Sequence, residues 1–191
     1  MLKHLKNTII LFNKRKIKKI ANNINRSRIN KVLKNHNNGN NYHAYFFLNE
    51  CSVEKKCNFW VDSNSAIITQ VWNSKKYNSK TTRQSILKNG FIQNDNIPNG
   101  YVNGIYLIDY DLLFTYNGNH RTCIAKELNQ LKIPCCSRNI KAIELTDDFS
   151  KMQFYSNYYI DTFNRKEHFS SSEEYDIFRL IQKDMNLKKK M

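Results

Sequence analysis

The chain predicts an α+β fold, a compact mixed sheet with helices, preceded by a basic amphipathic helical arm and followed by a helical tail. Three observations carry that prediction. Residues 2–33 place apolar side chains at helical spacing among lysines and arginines. Short β-branched and aromatic runs fill the middle of the chain between turn residues. Around the dipeptide Asn117-Gly118, a strand-like run passes directly into a helical one. With 191 residues, 40% hydrophobic and 13% aromatic, there is enough apolar material for one packed core with appendages. The expected divisions are an arm and linker over 1–41, a domain over 42–148 and a helical extension over 149–191.

In the arm, Leu2, Leu5, Ile9, Phe12, Ile17, Ile20, Ile24, Ile29 and Val32 recur every three to five residues, the stripe of one or two amphipathic helices. Residues 1–49 contain no Asp or Glu and carry eleven Lys or Arg, which leaves only +4 of the net +15 for residues 50–191. A codon bias toward lysine enriches base, but it does not remove every carboxylate from so long a stretch. Three roles fit residues 1–34: a helix packed on the domain, an arm on an anionic membrane surface, or an arm on DNA or RNA. In the last two, each basic residue near a phosphate-rich surface contributes about 1 kcal/mol. Phe12 is the one aromatic before Tyr42, so the stacking residues of a single-strand binder are nearly absent.

No run approaches the roughly 20 apolar residues of a membrane-spanning helix. The first apolar stretch is followed at once by Asn13-Lys14-Arg15-Lys16, without a small-residue cleavage site, so a cytoplasmic protein is expected. Five cysteines, an odd set lacking paired CxxC spacings, predict reduced thiols and no metal site; Cys51, Cys57 and His43 read as ordinary side chains rather than ligands.

Residues 35–41, Asn-His-Asn-Asn-Gly-Asn-Asn, read as a linker. Residues 42–48 and 59–71 read as strands or buried edges, and 73–80 as a loop. A helix over 82–89 should stop at Gly90, with Phe91-Ile92-Gln93 returning to the sheet. Residues 105–108 and 111–116 predict strands around a turn at Asp109-Tyr110, and Asn117-Gly118 predicts a second turn. A helix over 120–131 would set Ile124, Leu128 and Leu131 on one face, before Ile133-Pro134 and a strand over 140–145. The aromatic stretch 149–159 predicts a helix packed on the body, and Ser170 to Glu174 a further helix start. Lys188 to Lys190 are expected to be disordered.

The chemistry-bearing unit is Asn117-Gly118-Asn119-His120-Arg121-Thr122. A helix N-terminus presents unpaired N–H groups and a partial positive charge, glycine lets the backbone approach closely, and arginine forks onto phosphate oxygens. Together they describe an anion site. Its competing reading is a plain turn in which Asn119 caps the helix and Arg121 pairs with a surface carboxylate.

The surroundings favour the anion site. Ser85-Ile86-Leu87-Lys88-Asn89-Gly90-Phe91-Ile92-Gln93 precedes the unit, and Arg121-Thr122-Cys123-Ile124-Ala125-Lys126-Glu127-Leu128 with Ile133-Pro134 follows it. This order resembles the ParB/sulfiredoxin superfamily over residues 86–138: a helix ending in glycine, a strand, a Gly-x-x-Arg turn opening a helix with an alanine one turn on, then Ile-Pro before the next strand. The resemblance implies a compact sheet-and-helix fold whose turn holds nucleotide phosphates. Members include partition proteins that switch on CTP, a sulfinic-acid reductase, nucleases and a free-serine kinase, so the fold leaves the reaction open.

Departures from the family narrow the reading. The reductase cysteine, two residues before the motif arginine, is replaced by Asn119, and Cys123 lies beyond the turn. Partition proteins continue into a helix-turn-helix, whereas here an aromatic, weakly charged tail follows. Kinase-like relatives carry Asp before the glycine, where this chain has Asn117, an amide that accepts a hydrogen bond but takes no proton as a base. Asp109, Asp111, Glu50 and Glu54 are the carboxylates read nearest to strand ends. The expectation is a nucleotide-dependent phosphotransferase or hydrolase. Asn117, Gly118, Asn119, His120, Arg121 and Thr122 would bind a nucleoside di- or triphosphate with magnesium, and His120 and Arg121 would be catalytic. The alternatives are a non-catalytic nucleotide-binding module seated on nucleic acid or membrane by its arm, and a ParB-like DNase.

Overall fold

The computed structural model describes residues 2–33, 47–57, 60–62, 65–68, 79–91, 102–134, 139–161, 163–169 and 172–190. Its centre is a five-stranded mixed sheet of β1 (Ser52–Glu54), β3 (Ala66–Ile68), β4 (Asn103–Leu107), β5 (Leu112–Asn117) and β7 (Ile140–Leu145), in the order β1-β7-β4-β5-β3. The pairs β1–β7 and β4–β5 are antiparallel, while β4–β7 and β3–β5 are parallel. A separate antiparallel pair joins β2 (Trp60–Asp62) to β6 (Lys132–Pro134). The fold is thus α+β with a mixed sheet.

Alternation along the strands sorts the core onto two faces, since successive side chains of a strand point to opposite sides. Ile67, Ile105, Leu107, Leu112, Phe114 and Ile143 meet Ile17, Ala21 and Ile24 of α1 (Leu2–Leu33) and Ile177, Phe178 and Ile181 of α6 (Ser172–Lys189). Ala66, Tyr106, Leu113, Ile140 and Ala142 meet Ile86 of α3 (Ser79–Asn89) and Ile124 and Ala125 of α4 (Asn119–Glu127). Each fully buried large aliphatic or aromatic side chain contributes about 1.5–3 kcal/mol. Both faces are therefore needed. Close approach of β4 to β5 requires Gly104: a Cβ there would lie 2.6 Å from Leu113 Cδ1 and 2.7 Å from the Phe114 carbonyl oxygen.

Residues 2–33 form one helix that packs against α6 and β3. Polar side chains pin it as well. Asn25 is buried and donates through Nδ2 to the Ala66 carbonyl at 2.7 Å, while its Oδ1 accepts the Ile68 N–H at 3.0 Å. An asparagine amide offers the same donor and acceptor as a peptide group, so this one side chain pairs the outer edge of β3 as a neighbouring strand would. Lys18 Nζ reaches Asp111 Oδ2 at 2.5 Å, in the tight turn between β4 and β5. Asp111 adopts the left-handed conformation, φ 51°, and also accepts from Ser65 Oγ and Tyr106 OH. Burial acts to raise its pKa, but these hydrogen bonds and the lysine charge prevail and hold it below the ordinary carboxylate value.

Several expectations need correction. Phe47 and Leu48 lie in a helical turn, α2 (Phe47–Glu50), rather than in a strand, with both side chains buried. One turn of helix and one short strand bury an adjacent apolar pair equally well, so periodicity does not separate them. The stretch 149–159 is not a helix. It holds the end of α5 (Asp147–Lys151), then β8 (Gln153–Phe154) and β9 (Tyr158–Ile160), which form a three-stranded meander with β10 (Lys166–His168). The cause is an aromatic cluster: Phe154 pairs with Tyr159 across the hairpin, and Phe47, Phe149, Phe154, Tyr159 and Phe169 gather around Phe178. The tail therefore mixes sheet and helix.

Lys188 and Lys189 are ordered in the last turn of α6, paired with Asp109 and Asp147. Cys57 is disulfide-bonded, its partner lying outside the described residues, whereas Cys51 and Cys123 are free and buried. The expectation of reduced thiols is therefore corrected at Cys57. Phe91 lies outside any strand, and residues 92–93, the linker 35–41 and most of the loop 73–80 fall outside the described residues. The helix ending at Asn89, the strands on either side of Asp109 and Tyr110, the strand 140–145 and the helix after Ser170 lie where the sequence predicts them, although α3 already includes Ser79 and Lys80. The helix opening after Gly118 starts as expected but stops at Glu127 rather than at 131, where Asn129 turns left-handed with φ 54°.

Candidate functional site

The strands β3 and β5 run in parallel, and both end at the turn that opens α4. Gly118 is the N-cap residue, with φ 72° and ψ 21°, a left-handed conformation that costs glycine little and most side chains about 1 kcal/mol or more. Three side chains brace this turn from within. Asn117 Oδ1 accepts the Gly118 N–H at 2.7 Å; Thr122 Oγ1 donates to the Gly118 carbonyl at 3.1 Å; and Asn119 Oδ1 accepts from Thr115 Oγ1 at 2.8 Å. The same hydroxyl lies 3.0 Å from the Ile67 carbonyl, so its single proton is shared between the Asn119 amide oxygen and β3, and the turn is tied to both parallel strands.

The six residues singled out in the sequence therefore play different parts. Asn119 and Thr122 are buried and hold the turn, and Asn117 is exposed and shapes it. Thr122 N–H to the Gly118 carbonyl, at 2.9 Å, is the first intrahelical bond of α4, so the N–H groups of Asn119, His120 and Arg121 precede the helical ladder, where the helix dipole is positive. The first turn of α4 contains no acidic residue. His120 is half-buried, and burial lowers its imidazole pKa below the ordinary value, which keeps it neutral near pH 7.

Arg121 is also half-buried. Its guanidinium carbon lies 5.2 Å from the centre of the Phe91 ring. This contact, which sequence spacing did not reveal, links the two halves of the motif: α3 ends at Asn89, and the reversal at Gly90, φ 72°, delivers Phe91 as a platform beneath Arg121. An aromatic face orients a guanidinium by cation–π attraction. The helices α3 and α4 are further joined by the ion pair Arg83–Glu127.

The carboxylates lie elsewhere. Asn117 at the end of β5 pairs with Asn103, whereas Leu112 at its start pairs with Leu107, Leu107 with Ile143, and Ile143 with Glu54. Asp109, Asp111, Glu50 and Glu54 therefore all belong to the far end of the sheet. At about 3.3 Å per residue, Asp111 sits about 20 Å along β5 from Asn117. All four are also engaged by bases: Asp109 by Lys188, Asp111 by Lys18, Glu50 by Arg165 and Glu54 by Lys141.

No family model, curated protein or solved structure matches this chain.

The turn is thus read on its own chemistry. It offers helix-terminal N–H groups, an oriented guanidinium and a neutral imidazole, a donor set suited to an anion. Magnesium favours oxygen ligands, usually with a carboxylate, and Asn117, Asn119, His120 and Thr122 provide none. No group of three or more His, Cys, Asp or Glu able to hold a metal occurs among the described residues. The free thiols are poorly suited to nucleophilic work: burial pushes Cys51 up to about 12 and Cys123 higher still. No described helix is long and apolar enough to cross a membrane.

Proposed function

We propose that this chain is a ParB/sulfiredoxin-like protein that binds a nucleotide by its phosphates at the turn Gly118–Arg121. The observation carrying this reading is the juxtaposition at one point of a left-handed Gly118, the carboxylate-free first turn of α4 and an Arg121 guanidinium stacked on Phe91. Phosphate oxygens would accept from the N–H groups of Asn119, His120 and Arg121 and from the guanidinium. Asn117, Asn119 and Thr122 keep the turn in shape for them.

Phosphoryl transfer or hydrolysis at this turn would use Arg121 to neutralise developing charge and His120, neutral near pH 7, to accept a proton. One observation favours the non-catalytic reading instead: the four carboxylates read as candidate bases belong to the opposite end of the sheet, and Asn117 stands where a base would be expected. A nucleotide-binding module is therefore the form of the proposal that the geometry supports best. A thermal-shift screen of nucleoside mono-, di- and triphosphates, with and without magnesium, tests it. A ligand at a hundred times its dissociation constant stabilises the fold by about 2.7 kcal/mol. A panel with no shift for any phosphate-bearing nucleotide would remove the proposal.

A further inference from the structure

The helix α1 divides its charge between two faces. Toward the body, Lys18 pairs with Asp111, Lys6 donates to the Lys190 carbonyl, and Lys14 lies 5.6 Å from the centre of the Tyr110 ring. Outward, Leu5, Phe12, Lys19 and Arg26 follow one another at intervals of seven, and Arg15 and Lys16 stand three and four residues after Phe12, so a 3.6-residue period sets them on one side. All are exposed, and three of the large apolar side chains most open to solvent fall on this helix: Phe12 at 65%, Leu5 at 57% and Leu11 at 52%. Beside this face, Lys16 lines a groove of about 360 Å³ together with Arg179, Lys183, Asn186 and one carboxylate, Asp176, of α6, three bases against one acid, a volume in the range of small-molecule sites.

We infer that the outward face of α1 docks on an anionic lipid surface. Leu5, Leu11 and Phe12 enter the boundary between headgroups and acyl chains; Arg15, Lys16 and Lys19 meet the headgroup phosphates, and the groove with Arg179 and Lys183 receives one of them. Basic side chains alone would suit a nucleic-acid backbone equally well. That partner takes the charges but leaves the three apolar side chains in water, whereas the lipid interface uses both at once. The helix lies in the interface and does not cross it. This inference concerns a different surface from the Gly118 turn and stands or falls separately from it.

The experiment is co-sedimentation of the full chain with phosphatidylcholine vesicles, with and without phosphatidylserine, beside anisotropy titration of a labelled DNA duplex and the sedimentation velocity of the protein alone. The expected result is binding to the serine-containing vesicles only. Phe12→Ser should weaken it by about tenfold or more, as should the double change Lys16→Glu with Lys19→Glu. Both sets of side chains are exposed, so circular dichroism should be unchanged in each variant. Absence of vesicle binding overturns the inference, as does equal binding by Phe12→Ser. A duplex affinity that exceeds vesicle affinity and ignores Phe12→Ser assigns the face to nucleic acid, and a dimer lost on Phe12→Ser assigns it to a second copy of the chain; either outcome also overturns it.

Discussion

Replacing Asn25 with Ala would cut the tie between the first helix and the sheet. The substitution leaves the Ala66 carbonyl and the Ile68 N–H at a buried edge without their partner, since residues 65–68 are all buried. Each buried group left unpaired costs about 1–3 kcal/mol. Alanine's better helix propensity offsets about 0.5 kcal/mol. The net expectation is a loss of about 2–4 kcal/mol, which for a chain of this size lowers Tm by roughly 5–15 °C. Urea denaturation should show the midpoint falling with an unchanged slope, and hydrogen exchange should show the Ile68 amide losing protection. Asn23→Ala, on the exposed side of the same helix, is the control and should stay within about 0.5 kcal/mol. If the two variants melt alike, the amide of Asn25 does not close the edge of β3, and the packing of α1 must be redrawn.

Three further outcomes follow. Gly104→Ala forces a Cβ against Leu113 and the Phe114 carbonyl, and should cost more than about 1 kcal/mol in the same denaturation assay. Asp184 is fully buried, with Oδ1 accepting from Asn13 and Oδ2 lacking a hydrogen-bond partner; burial raises its pKa against the lowering pull of Asn13, Lys188, Lys14 and Lys183. A raised folded-state pKa means that its contribution is full below the unfolded value and is lost as pH climbs. Asp184→Asn should therefore remove a decline in stability from about pH 4 upward, read from melting curves across pH. Cys123→Ser should leave nucleotide binding unchanged while costing about 1–3 kcal/mol for the buried hydroxyl, and native Cys123 should resist thiol reagents until the protein unfolds.

The central elements were legible because local rules and burial agree there. The Gly90 stop, the Gly118 turn, the strands flanking Asp109 and Tyr110 and the helix after Ser170 combine strong turn or capping residues with clean periodicity. The meander at 153–168 was not legible, since strands of two or three residues give no alternation to read, and its aromatics are fixed by contacts with Phe47 and Phe178 from distant parts of the chain. Residues 2–33 read correctly as helix and as basic. A helix packed on the domain was one of the roles the sequence allowed, and α1 does pack on α6 and β3; what the sequence hid were the polar ties, because Asn25 and Lys18 look like ordinary polar positions until the β3 edge and the Asp111 turn are placed beside them. At the candidate site, the residues of the turn were found from the motif. The parts played by Asn119 and Thr122 inside it, and the Phe91 platform under Arg121, required three dimensions. So did the polarity of the sheet, which sets Asp109, Asp111, Glu50 and Glu54 at the far end.

The central claim is that Arg121 holds a nucleotide phosphate, and titration of the wild type and Arg121→Ala with the best nucleotide from the screen tests it most directly. Loss of a charge-assisted contact of about 1.5–3 kcal/mol should weaken binding roughly ten- to a hundredfold, with partial rescue by Lys. The melting curve should fall only by the cation–π contact with Phe91, about 0.5–1 kcal/mol. Equal affinities of wild type and variant, with or without a change in Tm, would contradict the claim and leave Arg121 as a packing residue of the α3–α4 face.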